Sequence, residues 1–327
     1  MLKSIFHKVL CLILFILISD LNDLFAQELY PYLFSNNKWG FVDKNFKTVV
    51  KGEYEYAHPF IEGLAAVQKN ELWGFINKQG KPITKFIFYD LYETSEGLIP
   101  VCNLNGKWGY LNTRGMIEIP FLYDNIAPFK FGLAPVLLNG SYAYIDKNMN
   151  IKFPGRYTYA REFILDGYAN VLLGNEGFII DTLGKKYPSL GSNQWKFPSE
   201  GLYFKRTGIL YGFYDAQTDQ IKIPHEYEKV DIFSGGLAPV MKNGKWGFID
   251  KENNLIIEFQ FDDARPFSEG LAAVRIGEKK GYINQKGEMI IKPQFDSAGK
   301  FKHGVAEVSQ GDIDFYVTKN GQLLIER

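Results

Sequence analysis

The chain is poor in the residues that small exported folds and metal enzymes depend on. It has two cysteines, Cys11 and Cys102, and Cys11 lies inside a leading apolar run. A product that has lost that run keeps one thiol and forms no internal disulfide, so its stability must come from packing. Histidine is nearly as scarce. Beyond the first 26 residues only His58, His225 and His303 occur, far apart in sequence, and in an open chain of units they would not converge on a metal. Lys+Arg and Asp+Glu are both 37, and no basic run occurs, which argues against nucleic acid as a partner. No Gly-x-Ser-x-Gly elbow, phosphate-binding glycine loop or Cys-x-x-Cys pair is found, and His225-Glu226 lacks a second histidine four residues on. These absences leave no catalytic residue, metal ligand or cofactor site to nominate.

Long hydrophobic runs are missing too, apart from one. Lys3, His7 and Lys8 lead into Val9 to Ile18, an apolar stretch that ends in a polar segment closing on Leu24-Phe25-Ala26. A bilayer span needs roughly 20 apolar residues, so this stretch reads instead as a secretory signal peptide, residues 1–26, cleaved after Ala26. Cys11 has no Gly or Ala before it and does not look like a lipoprotein cysteine. The expected mature chain, 27–327, is therefore exported to periplasm, cell surface or medium, with no membrane span of its own.

What the sequence does have is a repeat. Trp39, Trp73, Trp108, Tyr142, Gly177, Tyr211, Trp246, Lys280 and Asp314 stand 34 or 35 residues apart. A fixed period of this size marks supersecondary units that bury their apolar faces only by stacking on one another. Two places after each anchor comes a residue such as Phe41, Phe75, Tyr110, Phe248 or Tyr282, then an aliphatic one, then Asp or Asn. Aromatic and β-branched residues followed by turn formers predict a strand ending in a tight turn. A second strand, as in Gly236-Leu237-Ala238-Pro239-Val240, runs through Lys242-Asn243-Gly244-Lys245 into the anchor and makes a hairpin. Alternations such as Leu255/Ile257 suggest a third short strand, followed by an aromatic-acid pair and, a few residues on, a Phe.

Residues 245 to 250, Lys-Trp-Gly-Phe-Ile-Asp, and 267 to 274, Phe-Ser-Glu-Gly-Leu-Ala-Ala-Val, closely resemble the unit of the bacterial WG-repeat proteins. That resemblance spans nearly all of 27–327. It implies an all-β repeat array and no common enzymatic activity or ligand.

The expected fold is thus all-β: about nine hairpin units of two or three strands in one continuous array, elongated or superhelical. A closed propeller-like ring is the alternative, disfavoured because propeller blades usually have four strands and about 40 residues or more, in sets of four to eight. Recurrent acids, Asp43, Asp146, Asp181, Asp215 and Asp250 in one column and Asp90, Asp124, Asp262 and Asp296 in another, could in principle hold calcium or act on a glycosidic bond. Asn or Thr replaces the first set in other units, which fits turn caps better.

Two binding surfaces are candidates. The regular pattern decays between residues 142 and 210, where Tyr157, Tyr159, Arg161 and Trp195 could form a specialised patch, since aromatic and Arg side chains dominate interaction hot spots. Alternatively the anchors Trp39, Trp73, Trp108, Tyr142, Tyr211 and Trp246 could form a ladder for sugar rings, although a Trp beside a Gly more often packs over its own hairpin. The functional expectation is a non-catalytic exported protein that binds a protein or envelope component. A carbohydrate-binding protein is the alternative, and a hydrolase with paired acids the third reading.

Overall fold

The computed structural model describes residues 28–153, 156–164, 167–188, 198–216 and 218–326. They form nine antiparallel sheets of three or four strands, one per repeat, and no helix. The units, numbered 1 to 9, begin at residues 29, 56, 90, 125, 159, 202, 229, 263 and 297. In unit 7 the inner strand a is Lys229–Val230, strand b Ala238–Lys242, strand c Lys245–Ile249 and the outer strand d Leu255–Phe261, hydrogen-bonded in that order. Strands b, c and d are the ones the sequence announces. Strand a is only two residues long, too short for an alternation to show.

In units 1 to 8 the turn after strand c is tied by its Asx side chain, and in unit 9 by Thr318, whose Oγ1 accepts the Gln322 N–H. Asp250 Oδ1 accepts the N–H groups of Glu252 (3.0 Å) and Asn254 (2.8 Å), and Asn112 Oδ1 does the same for Arg114 and Met116. Only a hydrogen-bond acceptor is required there, which is why Asp and Asn interchange.

The glycine of the Trp-Gly pair answers to a different constraint. A Cβ on Gly247 would lie 2.6 Å from the Ile257 carbonyl oxygen, and one on Gly281 2.3 Å from that of Ile291. Strand d crosses strand c at this point with a break in register between the Trp246 and Phe248 pairings, a bulge that presses its backbone onto the glycine. Where Phe178 takes the place of glycine, Lys186–Pro188 pairs without any register shift. Strand d is reduced to single bridges beside Ala143, at Ile145–Ile151 and Tyr142–Tyr157, and also beside Gly74 of unit 2, at Ile76–Pro82 and Trp73–Phe88.

Neighbouring units are joined through the aromatic of strand c. Phe248 packs on Phe267 of the next unit with ring centroids 5.0 Å apart, and Tyr282 on Phe301 at 4.8 Å. Polar links follow the same route: Ser234 Oγ donates to the Phe267 carbonyl (2.6 Å), and Glu269 accepts the Gly304 N–H (3.0 Å). Buried aromatic pairs add directional attraction to the apolar area they remove from water.

The two ends of the array meet. Leu33 and Ile325 form a parallel bridge, the Glu326 N–H donates to the Leu33 carbonyl (2.7 Å), and Ser35 N–H donates to Glu326 Oε2 (2.8 Å). Unit 7 shows the same pair of contacts, from Glu228 N–H to the Met241 carbonyl and from Asn243 N–H to Glu228 Oε1. Glu326 therefore closes the ring by doing for unit 1 what Glu228 does for unit 7. One buried cluster runs through both ends, including Leu29, Leu33, Phe315 and Leu324. The open, elongated arrangement favoured on the sequence gives way to the closed one. A unit of 34 residues suffices because its inner strand is so short.

Candidate functional site

Among the described residues, no strand a stands at the inner edge of Leu29–Leu33 in unit 1. A cavity of about 350 Å³ lies beside that position, walled by units 2, 3 and 9. Two aromatic faces look into it, Phe75 of unit 2 and Tyr316 of unit 9. Their counterparts Phe41, Tyr110, Tyr144, Phe213, Phe248 and Tyr282 are each covered by a Phe of the following unit. Unit 3 carries Thr94 in that column, and the corresponding position of unit 1 falls before the described residues. The cavity thus lies where unit 3 departs from the Phe column and where the two ends of the array meet.

Its polar wall is assembled from residues distant in sequence. Glu93 accepts from Lys302 Nζ (2.5 Å) and meets His303 Nε2 at 2.8 Å, contacts across more than 200 residues. The His303 hydrogen bond, with Lys302 beside it, holds the Glu93 carboxyl down at about 2. Tyr56 OH donates to Glu307 Oε1 (2.6 Å), and burial pushes the Tyr56 hydroxyl far above the ordinary tyrosine range. His58 stacks on Trp73, centroids 5.1 Å apart and planes 19° apart, and its burial lowers its pKa below 6.5. The closure brings His58 and His303 to one cavity, whereas His225 stands elsewhere, 3.0 Å from Thr207 Oγ1. Among the described residues no group of three or more His, Cys, Asp or Glu side chains is arranged to hold a metal ion.

The two shifts act on stability in the same direction. Glu93 has a depressed folded pKa, so the stability it contributes is fully present above about 4.5 and is lost as pH falls toward 2. His58 resists protonation when folded, so stability declines as pH drops below 6.5, where the unfolded chain takes up the proton more readily. The unfolding midpoint is expected to fall between pH 7.5 and 5, and His58→Phe to flatten that part of the profile. An unchanged midpoint over this range would contradict the burial of His58.

The patch expected from the sequence is brought together only in part. Tyr157 is a core residue, 1% exposed, whose backbone pairs with Tyr142. Tyr159 and Arg161 line a second cavity of about 270 Å³ with Asn170 and Leu172, and Arg161 Nε donates to Tyr159 OH (2.6 Å). Asn170 is buried there, its Oδ1 without a hydrogen-bond partner. Trp195 lies outside the described residues. Of the six anchors, Trp39, Trp108 and Trp246 are buried, and Trp73, Tyr142 and Tyr211 are half-buried. A sugar ladder needs exposed ring faces, and Trp108 turns its face to Tyr92 at 4.7 Å. In the second column Asp262 and Asp296 serve hairpin turns, accepting the Gly277 N–H (2.7 Å) and the Gly311 N–H (2.9 Å), while Asp124 accepts Lys107 Nζ (2.6 Å) and Asp90 the Leu91 N–H (2.8 Å). Reading the sequence misses Glu93, whose importance is visible only once the ring is closed.

The repeat matches the family model of the WG containing repeat over residues 39–73, 73–108, 108–142, 142–176, 211–246, 246–279 and 281–312. The chain belongs to the WG-repeat family. No functionally curated protein matches it. Among solved structures, this WG-repeat chain is similar to a eukaryotic initiation factor with a TM-score of 0.61 at 11% identity, covering 91% of this chain and 94% of that one. BamB from Moraxella catarrhalis gives a TM-score of 0.41 at 10% identity, covering 81% and 91%. The extracellular domain of the putative one component system BT4673 from B. thetaiotaomicron gives 0.41 at 11%, covering 89% and 52%. Likeness at such identities concerns the fold. Among the described residues of the WG-repeat chain, no helix is long and apolar enough to cross a membrane.

Proposed function

We propose that this WG-repeat chain is an exported, non-catalytic binding protein that engages a protein of the cell envelope through the cavity at the ring closure. The observation that carries this reading is the cavity of about 350 Å³ that Phe75 and Tyr316 line together with Glu93, Lys302 and His303. Apolar surface flanked by a few fixed polar groups is the usual make-up of a recognition site. The reading as non-catalytic is supported by the state of the acids. Glu93 is held as a carboxylate by the hydrogen bonds of His303 and Lys302, so it is not poised to take a proton at neutral pH, and Glu307 is engaged by Tyr56. Export rests on residues 1–26, which lie outside the described residues.

Thr94→Phe tests it. The substitution restores the Phe column and fills the space over Phe75 in a way the other units already tolerate. With the chain as bait in an envelope extract, wild type is expected to retain a partner that Thr94→Phe loses, while the unfolding midpoint stays level or rises. Equal capture by both would remove the cavity from the account.

A further inference from the structure

Two columns of the repeat fail at one seam, between units 2 and 3. Six strand c aromatics are each capped by a Phe of the following unit at 4.7 to 5.1 Å between ring centroids, as Phe213 is by Phe233. Phe75 of unit 2 meets Phe88 of its own unit at 6.3 Å, and unit 3 brings it no such ring because Thr94 stands in the Phe column. At four other seams a Ser hydroxyl donates to the carbonyl of that Phe, as Ser199 does to Phe233 (2.7 Å) and Ser234 to Phe267 (2.6 Å). Unit 2 has Ile61 in the Ser column, and the Thr94 carbonyl accepts no hydrogen bond among the described residues. Relative to the others, this seam is short of one aromatic ring and one hydroxyl.

On the unit 2 side Leu64, Ala66 and Phe75 form a buried apolar floor of the cavity, and His58 shares that wall. The imidazole stacks on Trp73, yet neither of its ring nitrogens makes a hydrogen bond among the described residues. Burial lowers its pKa, so at neutral pH it offers one acceptor nitrogen and one N–H. The exposed Tyr92 and Lys302 mark the outer end of the same cavity.

We propose that the space between units 2 and 3 receives a tyrosine side chain of the partner protein, its ring against Phe75 and its hydroxyl on the His58 imidazole. The inference rests on the cavity being the binding site and names the group that enters it. The ring takes the place that a Phe fills at six other seams, and an aromatic pair adds directional attraction to the apolar area removed from water. The hydroxyl is required because a bare phenyl ring would cover His58 and leave its nitrogens buried without a partner, which costs more than the bond itself contributes. A sugar fits worse, since most of its hydroxyls would lie against Leu64, Ala66 and Phe75, whose side chains offer them nothing to bond. An anchor of this kind, one aromatic side chain in a desolvated pocket, is what commonly dominates the affinity of a protein interface.

The probes are N-acetyl-tyrosinamide and N-acetyl-phenylalaninamide, titrated against the WG-repeat chain and followed by ligand-observed NMR. The tyrosine probe is expected to bind saturably and the phenylalanine probe at least about fivefold more weakly, the penalty for leaving a buried polar group unpaired. Thr94→Phe should abolish binding of both, since its own ring takes the space. His58→Phe keeps an aromatic ring on Trp73 and should bring the two probes within about twofold of each other. Equal affinities in the wild-type chain, or a preference that survives His58→Phe, would overturn the proposal. So would binding of p-cresol where the tyrosine probe does not bind, since the occupant would then be a free phenol and not a protein side chain. If the probes fail while Thr94→Phe still removes the envelope partner, the cavity stands as the site and its tyrosine occupant falls.

Discussion

Removing residues 323–327 is expected to lower the thermal unfolding midpoint by roughly 6 °C, the response of a chain of this size to about 4 kcal/mol. Leu324 is fully buried in the cluster shared by both ends of the chain, and losing it alone costs about 2 kcal/mol. The Glu326 N–H to Leu33 and Ser35 to Glu326 hydrogen bonds contribute about 1 kcal/mol each. The truncated chain would also free the Leu33 carbonyl and the Ser35 N–H at the edge of unit 1, so it should self-associate more readily. A truncated chain that stays monomeric with an unshifted midpoint would show that unit 9 does not hold unit 1.

Gly281→Ala is the single substitution with the largest expected effect, about 3 kcal/mol or somewhat more. The new methyl would stand 2.3 Å from the Ile291 oxygen and 2.7 Å from the Pro293 nitrogen, both backbone atoms that no rotamer change can move aside. Strand d would have to give up its bulge, the pairing seen where Phe178 stands in this column. Gly277, in the hairpin turn of the same unit, makes the contrast. It has a φ of +63° and nothing within 4 Å of an added Cβ, so Gly277→Asn should cost under about 1 kcal/mol, as the left-handed Asn70, Asn139 and Asn243 of equivalent turns indicate. Chemical denaturation of both variants measures the difference. Equal losses would mean that close backbone approach is not what the Trp-Gly glycine is for.

The residues that carry the repeat were legible in the sequence because each acts within its own unit or the next. Phe248 and Ile249 read as strand, Asp250 reads as a turn cap, and Asn243-Gly244 reads as a hairpin turn, all from local chemistry. Ring closure was not legible, because Glu326 reaches its place through an outer strand cut to Leu323–Leu324, where the regular units spend seven residues. Without closure nothing connects Glu93 to His303, and the cavity cannot be anticipated. Thr94 could have been noticed as the missing Phe of its column, but it acquires meaning only beside Lys302 and His303, which the closure brings to it. Tyr159 and Arg161 stand together at one small cavity, while Tyr157, two residues earlier, turns into the core to pack with Tyr144.

The closure itself can be read directly from one covalent bond. In a Cys102→Ala background, Leu33→Cys and Ile325→Cys place two thiols on strands that bridge each other. Neighbouring Cα atoms of paired strands fall within the roughly 4.4 to 6.8 Å that a disulfide spans. A closed ring should yield an intramolecular bond joining the two ends in monomeric protein, identified by mass spectrometry of the linked peptides. Free thiols, or bonds formed only between molecules, would mean that the array is open.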